Sequence, residues 1–180
     1  MDLGADLAVA ERPGDGEMNF QRVVKHLSTG SASVRRAFPR LDAIEEAIRL
    51  TETWHDGQIR FAVEASLELA PLLAGQTARQ RAIEVFSSLR VWDTEHNNGV
   101  LIYLLLADRD VEIVADRGIH LRLGVEVWES ICLQMEAAFR AGQFEAGVVI
   151  GITAVGEHLM AHFPARSEKK NELPDAPVVL

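Results

Sequence analysis

The chain has 180 residues, 48% of them hydrophobic and 25% charged, the composition of one folded domain rather than of a disordered polymer. Its formal net charge of −9 excludes nucleic acid as an expected partner, because affinity for a phosphate backbone comes from clustered Lys and Arg. The single cysteine, Cys132, excludes an internal disulfide and a cysteine-based structural zinc site.

Residues 1–17 end in Arg12-Pro13-Gly14-Asp15-Gly16-Glu17, a turn-rich run without period, and are expected to form a disordered arm, with Met1 and Met18 both candidate starts. The acidic opening Met1-Asp2-Leu3-Gly4-Ala5-Asp6 is unlike a secretory signal, and no direct membrane span is expected, so the expected location is cytoplasmic. Residues 18–40 read as short helices: Phe20, Val23, Val24 and Leu27 share one face up to Ser28-Thr29-Gly30, and a further turn runs from Ser33 to Phe38.

A domain is expected over 41–163. Asp42, with Glu45, reads as the cap of a helix carrying Leu41, Ile44, Ala47, Ile48, Thr51 and Trp54 on one side, closed by His55-Asp56-Gly57. Ile59, Phe61 and Val63 alternate with Arg60, Ala62 and Glu64, a strand. A Leu-rich loop broken by Pro71 and Gly75 leads to a helix capped by Thr77. Residues 100–106 are continuously apolar, as in a central strand covered on both sides, and Val111 to Ala115 is the next strand. The link Ala107-Asp108-Arg109-Asp110 is too short for a crossover helix, so these strands form a hairpin and the sheet is mixed. Two helices follow, one with Trp128, Ile131, Cys132, Met135 and Phe139 ending near Gly142, and one with Phe144, Val148, Ile152, Val155 and Leu159 ending at Pro164. Gly147, Gly151 and Gly156 suit a close helix contact, and 164–180 is expected to be a flexible tail. The order of elements predicts a three-layer α/β/α sandwich.

The stretch from Trp92 through Asn98-Gly99, the apolar strand, Asp108-Arg109 and Asp116-Arg117-Gly118-Ile119-His120 resembles the signature of the TPM-domain family over roughly residues 41–160. The resemblance implies a Rossmann-like architecture, divalent-metal binding and a proposed acid phosphatase activity. It also implies a glutamate and then an aspartate after the second hairpin strand, where this chain has His120 and, near the second position, Gly124 or Val125.

If the second hairpin strand runs antiparallel, Asp116 to His120 return beside the amino end of the central strand. Asp93, Glu95, His96, Asn97, Asp116 and His120 are then expected to converge, a donor set for calcium, magnesium or zinc. The competing reading is an Asn-Asn-Gly turn with solvated acids beside it. Cys132 falls on an apolar stripe and lacks the arginine of a phosphatase cysteine loop; His158 and His162 lack the glutamate of a zinc helix. Asp108 and Arg109 read as a charged turn, and Arg117 as a partner of Asp116 or of an anion. The leading expectation is a soluble ligand-binding or accessory module with a polar cleft at Asn97, Asp116 and His120 and weak metal binding, serving an unidentified protein partner. The alternative is a metal-dependent acid phosphatase acting on phosphomonoesters, with Asp93, Glu95 and Asp116 on the ion and His96 or His120 moving protons. A third reading is a structural protein whose last helix packs on a membrane-associated partner.

Overall fold

The apolar run at residues 100–106 becomes a strand, β2 (Gly99–Leu105), buried at every position. The structure, a computed structural model, describes residues 20–166 and 170–180; the arm expected over 1–17 and the candidate start at Met18 lie outside the described residues. Side chains alternate across a strand, so Val100, Ile102 and Leu104 of β2 join one apolar cluster and Leu101, Tyr103 and Leu105 another. Strand β1 (Gln58–Glu64) divides likewise, with Ile59, Phe61 and Val63 in the first cluster and Ala62 in the second.

The elements follow as α1 (Phe20–Ser28), α2 (Ser31–Ala37), α3 (Leu41–Thr51), β1, α4 (Leu69–Leu73), α5 (Ala78–Ser88), β2, β3 (Asp110–Ala115), α6 (Arg117–Leu123), α7 (Val125–Arg140), α8 (Phe144–His162) and β4 (Val178–Val179). The sheet order is β3-β2-β1-β4. β1 lies parallel to β2 and to β4, while β2 and β3 form the expected antiparallel hairpin. Ile44 and Ile48 of α3, with the apolar stripes of α7 and α8, cover one face; Leu72 of α4 and Ala82, Val85 and Phe86 of α5 cover the other. This is the expected three-layer α/β/α sandwich with a small mixed sheet.

Helix α8 is long and apolar enough to cross a membrane, yet its Val148, Ile152, Val155 and Leu159 are fully buried in the core. Its glycines permit this: a Cβ at Gly147 would press on Phe139, and one at Gly156 on Thr51. Thr77 caps α5 as expected, its hydroxyl accepting from Gln80 N–H at 3.1 Å while the Gln80 side chain accepts from Thr77 N–H at 3.1 Å.

Four local expectations change. Helix α3 starts at Leu41 with Arg40 at its cap, and Asp42 lies inside the first turn, where the helix dipole favours it without a capping bond. The Leu-rich loop contains α4. Residues 116–123 fold back as α6 instead of extending the hairpin strand, because Asp116 caps a helix there. The tail at 170–180 lies along the sheet: Gln58 Oε1 accepts from the amides of Glu172 and Leu173 at 2.8 and 3.0 Å, and Leu180 N–H donates to Val63 O at 2.9 Å. An edge strand presents unpaired amides and carbonyls, and this segment satisfies them.

Candidate functional site

The two ends of the sheet differ in chemistry. At the amino end of β1 and β2, the loop before β2 is folded by its own polar groups. Asn97 takes a positive φ of 50°, as turn asparagines do. Asn98 is buried; its side-chain amide donates to Asp56 O at 2.7 Å and its backbone amide to Thr94 Oγ1 at 3.0 Å. α6 arrives against this loop so closely that a Cβ on Gly118 would stand 2.5 Å from Asn97 O.

Asp116 N–H donates to Gly99 O at 2.8 Å, and its Oδ1 accepts the Arg117 amide at 2.7 Å. Burial holds the Asp116 carboxyl above the ordinary aspartate range, with the Arg117 amide and charge pulling the other way. Its Oδ2 has no hydrogen-bond partner among the described residues. Asn97 and Asp116 are thus brought near one another, with His120 one turn along α6 and half-buried. Asp93, Glu95 and His96 are exposed on the loop, and Glu95 N–H donates to Glu172 Oε2 at 2.9 Å.

No group of three or more His, Cys, Asp and Glu side chains among the described residues is placed to hold a metal ion. Asp93, Glu95, His96, Asn97, Asp116 and His120, the expected donors for calcium, magnesium or zinc, are thus not gathered into one such group among the described residues. Asp116 caps α6 through Oδ1, and His120 lies on that helix one turn on. The same holds for His158 and His162, which join no such group.

At the carboxyl end, Glu64 is buried beside Leu105 in register. It accepts from Tyr103 Oη at 2.7 Å and from Arg81 Nε and Nη2 at 2.9 and 3.2 Å. Burial, then the Glu64 charge, raises the Tyr103 phenol far above its ordinary range. Asp108, expected to be a solvated turn residue, is instead an anchor. Arg22 Nε donates to its Oδ2 at 3.0 Å, and His26 Nε2 stands 3.1 Å from its Oδ1. His26 Nδ1 accepts the Leu67 amide at 3.0 Å, which leaves the ring proton of the neutral form on Nε2. Arg22 Nη2 also reaches Gln76 O at 2.9 Å.

These bonds invert α1. Its polar residues Arg22 and His26 are buried, while Phe20, Val24 and Leu27 are 82, 47 and 72% exposed. Between α1, α2 and the hairpin turn opens a cleft of about 640 Å³ whose lining includes Lys25, Ser33, Arg36, Asp108, Arg109 and Phe144. Asp108 is the sole acid in that lining among the described residues and faces Arg22 and His26. Arg109, at φ 55°, holds its guanidinium 5.8 Å from the Phe144 ring centroid. Sequence reasoning missed Lys25, Ser33 and Arg36, which lie far from Arg109 in the chain; the available signal was that residues 18–41 hold five Lys and Arg and no Asp or Glu.

Residues 40–158 match the TPM domain. The chain belongs to the TPM-domain family. The BA42 protein of the psychrophilic bacterium Bizionia argentinensis, solved by NMR, is similar: 31% identity, 77% of this chain and 91% of that one covered, with a TM-score of 0.69. No curated protein matches. Within this TPM protein the cleft is composite, since Arg109 and Phe144 lie in the matched domain whereas Lys25, Ser33 and Arg36 precede it.

Proposed function

We propose that this TPM protein is a binding module for a small anion, a phosphate or carboxylate group held between Lys25, Arg36 and Arg109. The observation that carries the reading is the cleft itself. It lies where the parallel strands β1 and β2 end, the place where ligands collect in open α/β sheets, and its three cations answer to no free acid in the lining. A phosphate is the better-matched group, because Arg supplies paired donors to its oxygens and the Ser33 hydroxyl adds another. The phosphatase in the family's name favours the same chemistry.

What surrounds the cleft supports binding rather than hydrolysis. Ser28 and Thr29 hydroxyls donate to Lys25 O at 3.0 and 2.8 Å, His26 Nδ1 accepts the Leu67 amide, and His26 Nε2 lies 3.1 Å from Asp108 Oδ1, buried and facing that carboxylate. No general base adjoins a nucleophile in that arrangement. Phosphomonoester hydrolysis through a metal lacks an assembled donor set at the amino end. Calorimetry with pyrophosphate, on the full chain and on Arg36→Gln and Arg109→Gln, tests the reading. Heat of binding that both substitutions reduce supports it; binding indifferent to both sinks it.

A further inference from the structure

We infer that α1 and α2 form a docking face for an anionic lipid surface, a role beyond capture of a soluble anion. Phe20, Val24 and Leu27 recur at the spacing of one helix face and form an exposed apolar ridge on α1. The ridge is fixed outward: Arg22 and His26 on the opposite face tie the helix to Asp108, Gln76 and Leu67. Leu67 and Gln76 bracket α4 in the chain, and α4 carries two further exposed leucines, Leu69 and Leu73, 51 and 50% exposed.

Charge identifies the occupant. In a chain of net charge −9, residues 18–41 carry Arg22, Lys25, Arg35, Arg36 and Arg40 and no acid. Lys25, Arg35 and Arg36 are exposed, and Arg109 joins them from the hairpin turn, while Arg40 lies 3.8 Å from Asp42. An apolar ridge flanked by Lys and Arg is the pattern of a helix lying in the headgroup region, its apolar side chains in the acyl boundary and its cations on anionic headgroups. Asp42, 3.8 Å from Arg40, and the exposed Glu68 beside Leu69 in the chain oppose an anionic surface locally, which leaves Lys25, Arg35, Arg36 and Arg109 as the headgroup cations. A second copy of the chain fits worse, because a two-fold contact through this face sets like cations against one another.

The test is sedimentation of the full chain with vesicles of phosphatidylglycerol and phosphatidylcholine, against phosphatidylcholine alone, at low and high salt. The expected result is retention on the anionic vesicles only, weakened by salt, with Phe20→Ser/Leu27→Ser lowering the partition about tenfold. Both side chains are exposed and outside the cleft, so this variant keeps its fold and its pyrophosphate binding. Weaker pyrophosphate binding in Ser33→Ala, which lines the cleft and is not one of the headgroup cations, with vesicle binding retained would separate the two roles. Equal binding to both lipids, or binding unchanged by the double substitution, overturns the inference. So does a full chain that binds neither lipid, or a mass that rises with concentration through the same ridge.

Discussion

His26 places Nε2 3.1 Å from Asp108 Oδ1 while its Nδ1 takes the Leu67 amide at 3.0 Å, so one imidazole ties α1 to the connections leaving both β1 and β2. Arg22 shares the same carboxylate. The cleft exists because of this attachment, since Lys25 lies on the helix that it positions.

Asp108→Ala should therefore act far beyond a surface turn. It leaves two buried side chains without their common partner, a loss of about 3 kcal/mol in the range seen when one member of a buried pair is removed. Denaturant unfolding measures it. A change below about 0.5 kcal/mol, the usual effect of a surface substitution, would return Asp108 to the status of a solvated turn acid.

Tyr103 is the chain's one tyrosine, which makes its titration directly visible. The folded chain holds the phenol proton to higher pH than the unfolded chain does. Above about pH 10, the ordinary tyrosine value, the unfolded state binds fewer protons, so this group's stabilisation is complete below that pH and falls above it. Tyrosinate absorbance should appear only with unfolding, in one cooperative step. A smooth titration near the ordinary value with the fold intact would contradict the buried Glu64 contact.

Asp116→Asn should favour the fold at neutral pH. The raised carboxyl means that the native state prefers the protonated form, so the aspartate contributes most below its ordinary value of about 3.9 and loses that contribution as pH rises. Asparagine keeps a capping oxygen without the buried charge; alanine keeps neither and should cost about 1 kcal/mol. Thermal unfolding against pH should show the Asn variant's advantage growing through the acid range. A constant offset would count against burial as the cause.

The sheet was readable from residues 58–64 and 100–115, where alternation, an unbroken apolar run and a short link each allow one arrangement. What escaped was set by tertiary partners. α6 spans only Arg117–Leu123, too short for a period, and its start depends on Asp116 acting as a cap. The strap at 170–180 is polar and Pro-containing, and its order comes from the edge of β1 through Gln58 and Val63. The cleft escaped because α1 buries Arg22 and His26, residue types that sequence patterns assign to solvent, and exposes the apolar stripe that they assign to a core.

Two glycines separate rigid from yielding contacts. A Cβ on Gly99 would run into the Val91 carbonyl, a backbone atom at the start of β2, and Gly99→Ala should cost about 3 kcal/mol or more. A Cβ on Gly151 would meet the Met135 side chain, which can swing aside, and the gain of up to about 1 kcal/mol in helix propensity offsets the crowding. Unfolding of the two variants should rank Gly99→Ala far below Gly151→Ala; the reverse order would misplace the close approach.

The central claim is that the carboxyl-end cleft holds an anion between cations from two parts of the chain. Amide chemical shifts during a pyrophosphate titration read this most directly. The account predicts saturable shifts confined to Lys25, Ser33, Arg36, Arg109 and their neighbours, weakened about tenfold or more by Arg36→Gln through the lost charge-assisted bonds. Shifts centred instead on Asn97, Asp116 and His120, or no saturable shift at all, would contradict it.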